Sequence, residues 1–278
     1  MIGATVPTTG GIHNAFKWGD KWGVQAVQFY LTLSRQWKVN QMTEDDKEKF
    51  REAWEDSSVK EVVAHIPYLV NLTSATRSTR EKSIDRMIAE IDRAKDLGVK
   101  YLVLHPGSPG KNGKEKGLRL LKEGFDKVFE EVSPEGVEIL IETMAGQGTT
   151  LGSTFEEVKE ILDLLNNKEV FSVCFDSAHV LEAGYDIRGD KGYEEVLDQF
   201  EQHIPLEKIK TFHLNDSKTE LNSKSDRHEH IGEGEIGLTF FKKLLNDDRF
   251  KKVPKIIETP KMGEMSQSNI ESLKELYN

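Results

Sequence analysis

Short, strongly apolar runs alternate along this chain with longer segments in which apolar residues return every three or four positions. The short runs are Ile2–Val6, Val24–Leu31, Glu61–Ile66, Lys100–His105, Val137–Glu142, Phe171–Asp176, Lys210–Leu214 and Lys255–Glu258. Some of them, such as YLVLH and VEILIE, are apolar at nearly every residue, the pattern of strands buried on both faces of a parallel sheet. The longer segments include Thr79–Leu97, Lys114–Val132, Thr154–Leu165, Tyr193–Gln202, Leu238–Asn246 and Gln267–Leu276. Their i, i+3, i+4, i+7 spacing predicts helices with one apolar face. Local signals agree. Ser153 or Thr154 is placed as an N-cap, with Glu157 three residues after Thr154, and Gly98 follows AKDL as a C-terminal stop. Eight strand–helix units in 278 residues predict an α/β chain folded as a single (β/α)8 TIM barrel, residues 1–278, with its site at the C-terminal ends of the strands. The competing open doubly wound sheet would favour a G-x-G-x-x-G loop after the first strand; TVPTTGG does not supply one.

Composition removes several classes. No run of about 18 apolar residues exists, so no membrane span is expected. A single cysteine, Cys174, excludes an intramolecular disulfide and a Cys-rich zinc module. The start, MIGATVPTTGG, lacks a basic stretch leading into an apolar one, so a cytoplasmic setting is expected. The net charge is −10, which taken alone counts against a polyanionic partner.

The chemistry concentrates at the ends of the apolar runs. The third ends in His65, the fourth in His105, the fifth in Glu142, the sixth in Asp176, the seventh in His213 and the eighth in Glu258. In a barrel these ends open onto one face around one axis. Any one of them alone reads better as a turn cap or a satisfied polar residue. Six in succession without a ligand would gather unpaired charge, and a shared metal centre accounts for them better. Mixed histidines and carboxylates suit Zn2+ or Mn2+. Three further candidates lie in loops: His179, three residues after Asp176, and Asp226 with His228 in SDRHEHIGEGEIG. The D-x-H spacing puts two side chains on one side of an extended segment, where they could join His179 around another ion. His13 and His203 read as surface residues of helices. His230, beside the D-x-H pair, reads either as a support for a metal ligand or as solvent-exposed.

These residues carry a resemblance to the endonuclease IV family of zinc-dependent apurinic/apyrimidinic endonucleases. The matching segments are GATVPTTGG, SRQW, HIPYLVNL, HPGS, IETMAGQGTTLG, FDSAHVLEAGYD, HLNDSK, DRHEHIGEGEIG and IIET. They run from the first strand to the last. The resemblance implies a TIM barrel with three Zn2+ ions, with Mn2+ compatible at one or more sites. It assigns His65, His105 and Glu142 to the first ion. Glu142, as the catalytic bridging carboxylate, joins Asp176, His213 and Glu258 at the second, and His179, Asp226 and His228 hold the third. It implies hydrolysis of the phosphodiester 5′ to an abasic site in duplex DNA, leaving a 3′ hydroxyl. It points to Arg35, Tyr68 and Leu69 as side chains inserted at the lesion; the competing reading of Tyr68 and Leu69 is a place in the core beneath their loop. Thr5 departs from the family, standing where members reading GAHVS have His.

The loops after strands two, three and four offset the net charge. Leu31–Met42, Ile66–Arg80 and Pro106–Lys114 contain Arg35, Lys38, Arg77, Arg80, Lys111 and Lys114 and no acid. Such a rim can hold phosphates on a protein that is negative as a whole, although basic loop residues also serve solubility. A monomer is expected, since one lesion needs one site. Two other functions compete. Glu142, Asp176, His213 and Glu258 alone resemble the divalent-metal site of xylose-isomerase-like sugar isomerases and epimerases, which do not require His65, His105, His179, Asp226 and His228. A non-catalytic DNA-binding barrel would require no metal set at all.

Overall fold

The computed structural model describes residues 1–32, 34–260, 263 and 265–277. Eight parallel strands close into a barrel: β1 (Ile2–Thr5), β2 (Ala26–Phe29), β3 (Glu61–His65), β4 (Tyr101–Leu104), β5 (Glu138–Glu142), β6 (Phe171–Asp176), β7 (Ile209–His213) and β10 (Lys255–Ile257), with β1 completing the ring between β2 and β10. A short antiparallel ladder, β8 (Asp216–Ser217) with β9 (His228–Glu229), stands on the loop after β7. The helices are α1 (Asn14–Trp22), α2 (Glu44–Glu55), α3 (Arg77–Leu97), α4 (Gly113–Glu131), α5 (Phe155–Leu164), α6 (Ser177–Ala183), α7 (Gly189–Glu201), α8 (Leu238–Leu245) and α9 (Ser266–Leu276). No helix among the described residues is long and apolar enough to cross a membrane.

Each predicted run coincides with a barrel strand; seven of the strands stop up to two residues short of the apolar pattern, and β7 begins one residue before its run, at Ile209. The local signals act largely as their chemistry dictates. Thr154 Oγ1 accepts the Glu157 amide at 3.2 Å, and Gly98 ends α3 in the left-handed region at φ 72°. The Glu157 carboxylate does not return to the Thr154 amide. It accepts instead from the amides of Gly152 at 2.8 Å and Ser153 at 3.0 Å. Helix α2 starts with a full capping box between Thr43 and Asp46.

Two apolar layers follow from the two-residue period of a strand. Ala26, Val63, Tyr101, Val103, Leu140, Cys174 and Ile256 form a small cluster inside the barrel, while neighbours such as Val62, Leu102, Leu104, Ile139, Ile141 and Val173 pack outward against the helices. Inward and outward residues alternate, as a pleated strand requires. Cys174 belongs to the interior, and burial pushes its thiol up to about 12, so it is inert at neutral pH. The interior narrows at Gly3 on β1. A Cβ there would meet Ile256 Cδ1 at 2.5 Å and the Ala26 carbonyl oxygen at 2.7 Å. Gly3→Ala should therefore lower stability by about 1–3 kcal/mol, read as a fall in the urea midpoint at unchanged slope. An unaltered midpoint would show that the barrel wall yields freely there.

Candidate metal centre

The inward layer just described fixes what lies above it. Two residues beyond Val63, Val103, Leu140, Cys174 and Ile256 come His65, His105, Glu142, Asp176 and Glu258. By the same step Thr211 leads to His213, Ala26 to Gln28 and Gly3 to Thr5. Every strand thus contributes one polar side chain to a ring at the C-terminal mouth.

Glu142 stands at its centre. Its Oε2 lies 3.2 Å from His65 Nε2 and 3.0 Å from His105 Nε2, and its Oε1 lies 3.1 Å from His213 Nδ1 and 3.4 Å from His179 Nδ1. His213 Nδ1 is also 3.1 Å from Glu258 Oε2 and 3.7 Å from Asp176 Oδ2. A second tier closes over this ring. His179 Nε2 lies 3.3 Å and His228 Nε2 3.5 Å from Asp226 Oδ1, and His228 Nε2 is 3.8 Å from Asp176 Oδ2. All nine candidate side chains meet in one cluster. Donor atoms of His65, His105 and Glu142 lie within 4.8 Å of one another, as do those of Glu142, Asp176, His213 and Glu258, and those of Asp176, His179 and His228.

His179 is not in a loop, as expected, but in the first turn of α6. Asp176 Oδ1 accepts the His179 amide at 2.9 Å and so caps that helix, which leaves Oδ2 for the cluster. Asp226 and His228 are brought over by the β8–β9 ladder, with Ser217 opposite His228. His13 immediately precedes α1 and His203 lies just beyond α7, where it pairs with Glu156 at 3.2 Å. His230 is half-buried and held by Asn269 Nδ2 at 3.0 Å.

Four of the five clustered imidazoles are oriented by a bond to their outer nitrogen. His65 Nδ1 faces the Ile66 carbonyl at 2.7 Å and His179 Nδ1 the Thr143 carbonyl at 2.9 Å. His228 Nδ1 faces the Glu258 carbonyl at 3.3 Å, and His213 Nε2 faces Gln28 Oε1 at 2.9 Å. An imidazole that donates outward to a carbonyl presents its other lone pair inward, the usual support of a metal-binding histidine. Gln28 also donates to Glu258 Oε1 at 2.6 Å and to Thr5 Oγ1 at 3.1 Å, and Thr5 donates to Glu258 Oε1 at 3.4 Å. The departure at Thr5 therefore falls on a local contact to Glu258. Asn215 donates to Asp176 Oδ2 at 2.7 Å. Sequence reasoning missed Gln28, Thr5 and Asn215 as supports; an amide inside the apolar run AVQF was the available signal.

The donor set fits divalent cations. Burial opposes charge on Glu142, yet His105 and His213 hold its carboxyl well below the usual range. Burial likewise opposes charge on His179, and Asp176, Asp226 and Glu142 overcome it and raise the imidazole well above 6.5. Without metal, protons on histidine balance the carboxylates. His179 Nε2 and His228 Nε2 are nevertheless buried without a well-directed hydrogen bond and share a single Asp226 oxygen at 3.3 and 3.5 Å, an arrangement that a cation between them would satisfy.

The residues expected at the DNA divide. Tyr68 is 63% exposed, which excludes the core placement, whereas Leu69 is half-buried against the core. Arg35 is exposed. Its loop is held from beneath by α3. There Arg86, fully buried and paired with Glu90 at 2.8 Å, donates to the Gln36 carbonyl and Thr32 Oγ1, and Arg93 donates to the Leu31 carbonyl at 2.7 Å. The basic rim is thinner than the sequence count. Arg77 is paired with Glu81 at 2.6 Å and Lys114 with Glu160 at 2.9 Å, because each lies within reach of acidic positions on the outer helices. Arg35, Lys38, Arg80 and Lys111 form no ion pair among the described residues.

Comparison with known proteins places this chain in a family. Residues 16–276 match the family model described as xylose isomerase-like TIM barrel. A protein of Geobacter sulfurreducens named probable endonuclease 4 is 42% identical over 275 residues, covering 99% of this chain and 93% of that protein. The crystal structure of endonuclease IV from Thermus thermophilus superposes with a TM-score of 0.86 at 31% identity, covering 99% and 98% of the two chains. A D-tagatose 3-epimerase-like protein superposes with a TM-score of 0.73 at 20% identity, a likeness of fold alone.

Two outcomes are expected of the centre. Gln28→Ala releases both His213 and Glu258 and should weaken metal retention about 10–100-fold in a competition with a chelator; full retention would remove Gln28 from the site. Metal uptake should release protons and tighten from about pH 6 to about pH 8, since the raised imidazoles must lose protons before they can donate to a cation. Affinity that falls over that range would contradict the assignment.

Proposed function

The chain belongs to the endonuclease IV family of xylose isomerase-like TIM barrels, and from that premise we propose that it hydrolyses the phosphodiester 5′ to abasic sites in duplex DNA. The observation that carries the proposal is the second tier: His179, Asp226 and His228 stand over the ring formed by the barrel strands. A sugar isomerase or epimerase needs only Glu142, Asp176, His213 and Glu258 of the ring. The sugar-epimerase reading is not favoured, because the relatives that match this chain over its whole length at about two-fifths identity are endonucleases.

In this reading three divalent ions, Zn2+ with Mn2+ compatible, would be held by the sets His65–His105–Glu142, Glu142–Asp176–His213–Glu258 and His179–Asp226–His228. When bound, such ions generate a nucleophile at neutral pH and neutralise charge on the attacked phosphate and on the leaving oxygen. The side chains do the remaining work. Glu142 presents one oxygen toward His65 and His105 and the other toward His213, so its carboxylate would serve both of the first two sets. Gln28 and Asn215 fix the orientation of Glu258 and Asp176. Four clustered carboxylates would be outweighed by three divalent ions, leaving a positive floor to the site. Arg35, Lys38, Arg80 and Lys111 extend that field to the rim, where phosphates of the duplex bind.

An abasic nucleotide offers no base to read. Its lost pairing and stacking make bending and extrusion cheaper than at an intact position. Exposed Arg35 and Tyr68 have the shapes to fill the gap, a planar guanidinium and an aromatic ring, with half-buried Leu69 as the apolar wedge beside them. One barrel spanning residues 1–278, acting as a monomer in the cytoplasm, is sufficient for this chemistry.

A duplex with a single abasic site tests the proposal directly. The metal-replete protein should produce one nick on the 5′ side, ending in a 3′ hydroxyl, and a strong chelator should suppress it; an intact duplex after incubation with metal-replete protein would overturn the assignment. Glu142→Ala should abolish cleavage while binding to the damaged duplex persists. Arg35→Ala should weaken lesion binding and leave metal content unchanged, whereas a parallel loss of metal would place Arg35 at the centre rather than at the DNA.

A further inference from the structure

Glu182 is a buried carboxylate that the nine clustered side chains leave out. It follows His179 by three residues on α6, so the two share a helix face, and it is wholly inaccessible to solvent. Its two oxygens have different surroundings. Oε1 accepts from Ser217 Oγ at 2.7 Å, from Thr219 Oγ1 at 3.3 Å and from the Arg227 amide at 3.1 Å. Arg227 stands between Asp226 and His228, so this oxygen holds the D-x-H segment in place. Oε2 is buried and has no hydrogen-bond partner. A carboxylate oxygen of Glu182, a ring nitrogen of His179 and a carboxylate oxygen of Asp226 lie within 4.8 Å of one another. Lys224, on the same segment, directs its ammonium to the Ala183 carbonyl instead.

Glu182 thus buries a carboxylate oxygen without a hydrogen-bond partner on the helix face of His179, whose Nε2 has only the Asp226 carboxylate beside it at 3.3 Å, a costly arrangement inside a protein unless a cation joins these groups. We propose that Glu182 Oε2 is an additional ligand for the divalent ion held by His179, Asp226 and His228. The proposal rests on the three-ion reading above and refines its third set. Two imidazoles and one carboxylate leave a divalent ion with a single positive charge; a second carboxylate makes the site neutral and adds a hard oxygen donor. Such a set holds its ion more firmly and shifts preference from Zn2+ toward Mn2+.

The test compares metal content of the native enzyme with that of Glu182→Gln after dialysis against graded EDTA, with circular dichroism reporting the fold. Glutamine keeps an oxygen for Arg227 and Ser217 but loses the charge. The native protein should hold three ions. Glu182→Gln should lose one of them at an EDTA concentration about tenfold lower, and its affinity for added Mn2+, followed by electron paramagnetic resonance, should fall more than that for Zn2+. Ser217→Ala, which removes a partner of Oε1 only, should retain all three ions. If Glu182→Gln retains three ions as firmly as the native protein, Glu182 only holds the loop and the proposal fails. If Glu182→Gln does not fold, Glu182→Asp, which withdraws the charge by one methylene, should show the same selective loss, and full retention there counts equally against the proposal. A native protein with fewer than three ions would instead overturn the three-ion reading itself.

Discussion

The parity of the strands governs the rest of this structure. In a closed barrel a residue faces the axis only if it lies an even number of positions from another inward residue, and one slip in register turns the whole strand inside out. Here Val63, Val103, Leu140, Cys174 and Ile256 fill the interior, so the next inward position on each strand emerges at the mouth. Those positions carry His65, His105, Glu142, Asp176 and Glu258. The apolar packing below and the polar cluster above are therefore one constraint. A core that fixed the register less firmly would scatter the cluster.

Assembling so many titratable groups is unfavourable unless each has a defined partner. The fold meets this by assigning the outer nitrogen of most histidines to a carbonyl or amide, and by using Gln28 and Asn215 to occupy carboxylate oxygens. Inside a medium of low effective dielectric these bonds stiffen the ring before any ligand arrives. Around the cluster, the histidine and carboxylate atoms left without a directed hydrogen bond are those of the second tier, His179 Nε2, His228 Nε2 and Glu182 Oε2. Preorganised groups with unsatisfied inward lone pairs are what a cation site requires, and they are concentrated where the barrel opens.

Much of this was legible in the chain because parallel strands advertise themselves. Runs such as YLVLH leave no polar alternative until the strand ends, so His105 stands out in sequence as it does in space. What escaped reading was polar residues whose partners are remote. Gln28 sits within an apolar run, and its bonds reach across to residues 185 and 230 positions away. The helix α6 was hidden because its N-cap, Asp176, had already been assigned to the cluster; the same carboxylate does both. Arg86 could not be read as buried, since a lone arginine on an amphipathic helix ordinarily faces water. The positive rim was overestimated because sequence counts charges without their partners, and Arg77 and Lys114 have acidic neighbours in the helical layer.

Glu142, Asp176, His213 and Glu258 do not by themselves separate a nuclease from a sugar epimerase, and the shared barrel explains why: both inherit the same inward positions at the same height. Fold fixes where chemistry can occur, and grafted residues decide which. In this chain His65 and His105 are added at the ends of β3 and β4, and further additions come from outside the barrel strands. One is a histidine delivered by a helix capped on a ring carboxylate; the others are an aspartate and a histidine carried by a two-stranded ladder. The loop bearing Arg35 is a third addition, and its placement is not left to chance. Arg86 and Arg93 on α3 bind its backbone carbonyls at four points, so Arg35 projects from a braced segment rather than a free one. A side chain meant to enter a gap in a duplex benefits from that bracing, because the entropy of fixing it has been spent in folding and does not recur at each encounter.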